Sequence, residues 1–138
     1  EALVLFDLSK AHEMHFLRKR SAQLFSKSRF VSAQFDAYFA GDLWLNLARH
    51  ANAMATRLAE GIAASKTSRL AWQADANEVF AIISKDVATK LRHDGAVFYD
   101  WPVPHDLEGK LAKNEGLYRL VTSFATKAED VDRFVAGC

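Results

Sequence analysis

The stretch LYRLVTSFATKAEDVDRFV (Leu117–Val135) carries two hydrophobic periods in succession. Its first half alternates, with Leu117, Arg119, Val121 and Ser123 on one face and Tyr118, Leu120, Thr122 and Phe124 on the other. That is the pattern of a strand. Its second half has Thr126 followed three residues later by Glu129, a capping-box signature. Val131, Phe134 and Val135 then form one helical face, while Asp130, Asp132 and Arg133 point away from it. A strand running into an amphipathic helix is predicted. Arg119 shares the strand's face with apolar neighbours, and its charge cannot be shed at physiological pH. Two readings follow: an edge strand whose arginine reaches into water, or an arginine that meets an anion.

Upstream the same alternation of elements continues. RLAWQ and EVFAIIS read as short strands joined by the turn-prone Ala74, Asp75, Ala76 and Asn77. Lys85 to His93 reads as a helix with Val87, Ala88 and Leu91 inward, ended by the Asp94-Gly95 turn. AVFYDW reads as a further strand. Pro102 and Pro104 bracket a loop that runs to Gly116, with a helical turn expected in Asp106 to Lys113. From Ser68 onward the order is strand, strand, helix, strand, strand, helix. This is an α+β layer, a small sheet covered by helices.

The part before Ser68 is helical. Leu43, Leu47, Ala51, Met54, Leu58 and Ile62 form one apolar stripe in LWLNLARHANAMATRLAEGIAA, opened by Asp42 as N-cap and preceded by Gly41 as the cap of the element before. His50 and Met54 are read as structural. Lys10 to about Phe39 lacks glycine and proline and is expected to form two helical pieces, broken near Ser26 to Ser28. Ala2 to Phe6 reads as a buried strand, with Ser9 as a possible cap of the helix that follows.

The 138 residues suffice for one domain with a hydrophobic core. Eighteen Lys and Arg stand against seventeen Asp and Glu, a net charge of +1, so no global field argues for nucleic acid or an anionic membrane. The single cysteine, Cys138, allows no internal disulfide, and a reducing, cytoplasmic setting is expected. The apolar opening, with no methionine before it, suggests a piece of a longer protein. No stretch is long and apolar enough for a membrane span, and none has the flanks of a signal peptide.

No complete catalytic motif is present: no glycine-rich phosphate loop, no His-Glu-x-x-His, no nucleophile elbow. His12 and His15 are three apart but lack a third ligand, so no metal is expected. What remains is Arg119 and the cluster RKRSAQLFSKSRF. There Arg18, Lys19, Arg20, Lys27 and Arg29 alternate with serines, a composition suited to phosphate oxygens and equally to a solvated helix face. An α+β binding domain that offers helix 18–29 to nucleic acid or another polyanion is the alternative to an enzyme, although no nucleic-acid motif accompanies it.

The runs EALVLFD, LRKRSAQLFSKSRFVSAQF, DLWLNLARHANAMATRLAEGI, NEVFAI and YRLVTSFATKAEDVDRFV together, in this order, resemble the C-terminal part of pyridoxal-phosphate-dependent threonine aldolases. QLFSKSRF and RLVTSFAT are the most specific pieces, and the bacterial branch that includes phenylserine aldolase is the most similar. The resemblance implies the small domain of a fold-type I, aspartate aminotransferase-like enzyme. Residues 1–40 would be a strand and helices that lead from a large cofactor domain, and residues 41–138 the small C-terminal α+β domain. It implies cleavage of β-hydroxy-α-amino acids, of threonine or phenylserine type, to glycine and an aldehyde, in a cytoplasmic homodimer or homotetramer of amino-acid metabolism.

By the same resemblance the lysine that holds pyridoxal 5'-phosphate precedes this chain, and none of the lysines here inherits a catalytic role. The family's arginine for the substrate α-carboxylate matches Arg119, and its basic position near the cofactor phosphate matches Lys27 and Arg29. The segment DWPVPHDLEGKLAKNEG departs from the shorter connection typical of threonine aldolases, which leaves the substrate side chain open.

Overall fold

The computed structural model of the chain describes residues 3–138, which fall into two compact units, one running through Leu43 and the other Trp44–Cys138. The first unit is helical. Asp7 accepts a bond from the Ser9 N–H at 3.0 Å and opens a short 3-10 turn at Leu8–Lys10, so the cap is Asp7 and Ser9 is its donor. Helix α1 (Ala11–Arg20) ends at Ser21, after which Ala22 takes a left-handed conformation with φ 57°. Helix α2 (Ser28–Phe39) resumes after the break. The break therefore begins before the expected serines. None of these elements buries a residue.

Over residues 3–6 the expected opening strand does not form. Ala2 lies outside the described residues, and Leu3 to Leu5 are irregular, with Leu3 and Val4 exposed and Phe6 96% exposed. A lone apolar segment has no ladder partner to satisfy its backbone, so periodicity alone does not make it a strand. After Gly41 and Asp42, both in left-handed conformation, helix α3 (Leu43–Ala64) begins.

The second unit is a four-stranded antiparallel sheet with α3, α4 and α5 against one face. The strands are β1 (Ser68–Leu70), β2 (Glu78–Ser84), β3 (Tyr99–Asp100) and β4 (Glu115–Val121), in the order β1-β2-β4-β3. The α+β reading therefore holds. Helix α4 (Lys85–His93) matches its expected span, because Ser84 caps it by accepting from the Val87 N–H at 3.2 Å. Asp86 near its start and Lys90, Arg92 and His93 near its end complement the helix dipole.

The core lies between sheet and helices. Val79, Ala81 and Ile83 of β2 and Tyr118 and Leu120 of β4 meet Ala55, Leu58, Ala59 and Ile62 of α3, Ala88 and Leu91 of α4, and Val131 of α5 (Ala128–Ala136). The buried stripe of α3 drifts from the one expected. It runs through Ala51, Ala55, Leu58, Ala59 and Ile62, while Leu43 is exposed. The β2–β4 register puts Val79, Ala81, Ile83, Tyr118 and Leu120 on the one face that this stripe covers, since residues paired across the ladder share a face.

Several boundaries move, with β1 ending at Leu70 where RLAWQ was expected to run on to Gln73. The strand expected over AVFYDW shrinks to Tyr99–Asp100, and the helical turn in the following loop is His105–Leu107. Helix α5 has Lys127 as its N-cap residue, so the capping box is not made. The Thr126 hydroxyl instead accepts from the Ser123 N–H at 2.9 Å and closes the turn after β4. Thr122 anchors the end of β4: its hydroxyl donates to the Ala51 carbonyl at 2.8 Å, and Asn77 Nδ2 donates to the Thr122 carbonyl at 2.8 Å. His50 Nε2 stands 2.8 Å from the Thr126 carbonyl, which makes Nε2 the protonated nitrogen and His50 a tie between α3 and this turn.

Candidate functional site on the open sheet face

β4 lies between β2 and β3, so Arg119 is on an interior strand and the edge-strand reading is overturned. The face turned away from the helices carries Glu78, Phe80 and Ile82 of β2 opposite Val121, Arg119 and Leu117 of β4. At one level of this face Ile82, Leu117 and Leu107 are buried together, with Leu111 and Trp72 packed around them. The loop after Pro102 folds back here, with Trp72 Nε1 at 3.4 Å from an Asp106 carboxylate oxygen. Lower on the face Arg69, paired with Glu115, bounds the patch.

At the other level Arg119 faces Phe80 directly and Glu78 diagonally, and an Arg119 Nη2 donates to the Glu78 carboxylate. The two side chains keep 32% and 37% of their surface, so the pair stands at the mouth of the face and not inside the core. Beneath it the Trp101 ring lies 5.5 Å from the guanidinium carbon. Trp101 in turn meets Phe80 edge-on at 5.3 Å, and Phe80 meets Trp72 at 5.3 Å. This aromatic row limits where the guanidinium plane can lie.

The charges follow from the contacts. The hydrogen bond to Glu78 raises Arg119 above the ordinary arginine value, and the same bond holds the Glu78 carboxyl below the ordinary carboxylate value. Arg119 Nε is buried and has no partner. The fork is thus half used: one nitrogen holds a carboxylate, and the adjacent N–H is unmet. A planar fork held by a carboxylate at a single point suits a carboxylate bound through both its oxygens.

Lys27 and Arg29 lie in the first unit and Arg119 in the second. Lys27 is the residue before the first turn of α2 and Arg29 is in that turn, which contains no acidic residue. Among the described residues no carboxylate pairs with either. The Arg29 guanidinium instead lies 5.0 Å from the Phe30 ring centroid. Two cations without a carboxylate partner at a helix start are chemically suited to a phosphate, although the Ser28 and Phe30 N–H groups there already donate to the Phe25 and Lys27 carbonyls. Among the described residues no three metal-ligating side chains gather, and no helix is long and apolar enough to cross a membrane.

Sequence reasoning missed Glu78, Phe80, Trp72 and Trp101. The alternation of EVFAIIS already put Glu78 and Phe80 on one face. Their place beside Arg119 depends on the pairing of β2 with β4, which alternation does not encode.

No protein-family model matches the chain. Its sequence is 35% identical over 99 residues to the low-specificity L-threonine aldolase of Pseudomonas aeruginosa and 33% identical over 99 residues to that of another Pseudomonas strain. Each match takes in 72% of this chain, which spans 29% of the length of either enzyme. Among solved structures, threonine aldolase of Leishmania major superposes with a TM-score of 0.75 and 29% identity, over 88% of this chain and 33% of that one. The sequence and the fold together place this chain with the threonine aldolases, as the counterpart of their C-terminal part.

Proposed function

We propose that this chain works as the small domain, residues 41–138, of a pyridoxal-phosphate-dependent aldehyde-lyase, with residues 1–40 leading into it from a large domain that supplies the cofactor lysine. The reaction is cleavage of the Cα–Cβ bond of a β-hydroxy-α-amino acid to glycine and an aldehyde, with threonine and phenylserine as the substrate types. The observation that carries this reading is Arg119 on an interior strand, its guanidinium carbon 5.5 Å from the Trp101 ring and one of its nitrogens on a carboxylate at the mouth of the face.

In this reading Arg119 binds the substrate α-carboxylate through two parallel N–H bonds and so fixes the rotation about the Cα–C bond. That rotation decides which Cα substituent is presented for cleavage. Lys27 and Arg29, at the start of α2, hold the cofactor phosphate. Pyridoxal phosphate, when bound, delocalises the negative charge left on Cα as the Cα–Cβ bond breaks. The Trp101–Phe80–Trp72 row lies next to the carboxylate clamp and supports the phenylserine type of side chain. The working protein is a cytoplasmic homodimer or homotetramer in amino-acid metabolism.

Aldehyde release is the direct test. Protein that includes the upstream domain, purified with pyridoxal phosphate, releases acetaldehyde from threonine and benzaldehyde from phenylserine, whereas the 138-residue chain with added cofactor does no better than the cofactor alone. Absence of release from the longer protein overturns the reading, as does turnover by the isolated chain.

A further inference from the structure

Arg119 carries a carboxylate already, and it comes from the chain itself. Glu78 sits at the first position of β2, diagonally across the ladder, and one of its oxygens accepts from Nη2 of Arg119. The contact is made through a single oxygen and a single guanidinium nitrogen. The neighbouring Nε of Arg119 is buried without a partner. Among the described residues no other carboxylate pairs with this arginine.

We propose that Glu78 is an internal stand-in for the substrate carboxylate: it holds the Arg119 fork when no substrate is bound and is displaced when the α-carboxylate arrives. This rests on the reading of Arg119 as the substrate clamp. The exchange replaces a one-point contact with a two-point one, because a free carboxylate can turn both its oxygens to the guanidinium while Glu78, tethered to β2, offers one. The displaced side chain has somewhere to go. Glu78 is more than a third exposed and follows the turn at Asn77, so its carboxylate can move into water without leaving a buried charge. The arginine does not move with it, since Trp101 stacks below the guanidinium and the strand on either side is paired.

The arrangement makes Glu78 a positioning residue with a cost. It keeps the fork flat and ready, and it competes with every incoming carboxylate. The competition lowers apparent affinity by the fraction of time that the fork is occupied. It also favours ligands that gain contacts beyond the carboxylate, since a bare small anion has little to offset the loss of Glu78.

The test measures glycine binding by calorimetry and steady-state kinetics on the cofactor-loaded full-length protein, comparing wild type, Glu78→Gln, Glu78→Ala and Arg119→Lys. Removal of the competing carboxylate tightens glycine binding by roughly 3- to 10-fold in both Glu78 variants. KM for the amino acid falls by a similar factor, and kcat changes less. Unchanged or weaker glycine binding in both Glu78 variants, with Arg119→Lys weakened, overturns the stand-in and leaves the clamp in place. Wild-type glycine affinity in Arg119→Lys overturns the clamp, and the stand-in with it.

Discussion

Gly61 of α3 and Val135 of α5 touch so closely that a β-carbon on Gly61 would stand 2.5 Å from Val135 Cγ2 and 2.7 Å from Cγ1. Both helices cover the same face of the sheet, and this contact sets how near they can lie. Gly61→Ala brings two opposing effects. Helix propensity favours alanine by about 1 kcal/mol, whereas overpacking against a β-branched, rotamer-restricted valine costs about 1 to 3 kcal/mol. The packing term is the larger, so the thermal midpoint of Gly61→Ala falls. Gly61→Ala with Val135→Ala recovers part of the loss, a non-additivity that a double-mutant cycle reads directly.

Arg119 makes a demand that positive charge alone does not meet. Arg119→Lys keeps the charge and loses the planar fork, so kcat/KM for amino acids falls while the bound cofactor's absorbance stays. Arg119→Ala falls further, on the order of 10²- to 10⁴-fold. Thermal denaturation of the same variants separates this from a folding defect: the Arg119–Glu78 pair is half-buried at the mouth of the face, outside the hydrophobic core, and its loss shifts the midpoint little.

Charge at the start of α2 acts on a different quantity. Lys27→Ala weakens pyridoxal phosphate retention by about tenfold, the loss of one charge-assisted bond to a phosphate. The readout is the cofactor dissociation constant by absorbance titration, with substrate preference unmoved. An unchanged constant would return Lys27 to a solvated helix face.

Thr122 is buried and supplies the only side-chain hydroxyl in contact with the Ala51 carbonyl among the described residues. Thr122→Val keeps the shape and removes the donor. Equilibrium denaturation is expected to show a loss of about 0.5 to 1.5 kcal/mol, the net worth of one buried hydrogen bond, since the Ala51 carbonyl keeps its place in the α3 ladder. Because the same residue ties the end of β4 to α3, hydrogen exchange at Ser123 and Ala125 should accelerate with it.

The Glu115 carboxyl is held below its ordinary value of 4.5, first by the hydrogen bond from Arg69 and then by the Ala112 N–H, which donates at 2.8 Å. A depressed carboxyl contributes stability that is full above the unfolded value and is lost as pH falls through the folded one. The second unit therefore loses stability progressively below about pH 4.5. Glu115→Gln flattens that limb of the stability-pH curve while lowering the plateau at neutral pH. Denaturant midpoints between pH 3 and 7 decide it.

What could be read from the amino-acid order divides along a physical line. Helix α4 was legible to the residue, because Ser84, the apolar Val87, Ala88 and Leu91, and the Asp94-Gly95 turn are all local signals. The faces of β4 were legible from alternation. The neighbours of β4 were not, since strand order is decided by contacts far apart in sequence, and so Arg119 could be given a face but not a partner. Glu78 was hidden for that reason. The Thr126-Glu129 box failed because a second local option, the turn that Ser123 and Thr126 close together, was equally available to the same hydroxyl. Over residues 3–6 the expected opening strand failed on the same non-local ground, an apolar run with no ladder partner among the described residues of its unit.

The placement of β4 also has a bearing on how the protein is made. During synthesis β1 and β2 emerge first and can pair as a hairpin, but β2's other edge waits for a strand that begins at Glu115, after α4, β3 and a long loop have left the ribosome. Through that interval the nascent chain presents an unpaired, apolar β2 edge, the kind of surface that recruits strands from other chains. Ser84 and Lys85, which start α4 at once after β2, shorten the exposed run to seven residues. Arg119 is thus among the last parts of the sheet to find its place, and a nascent chain stalled before Glu115 has the hairpin without the strand that carries it.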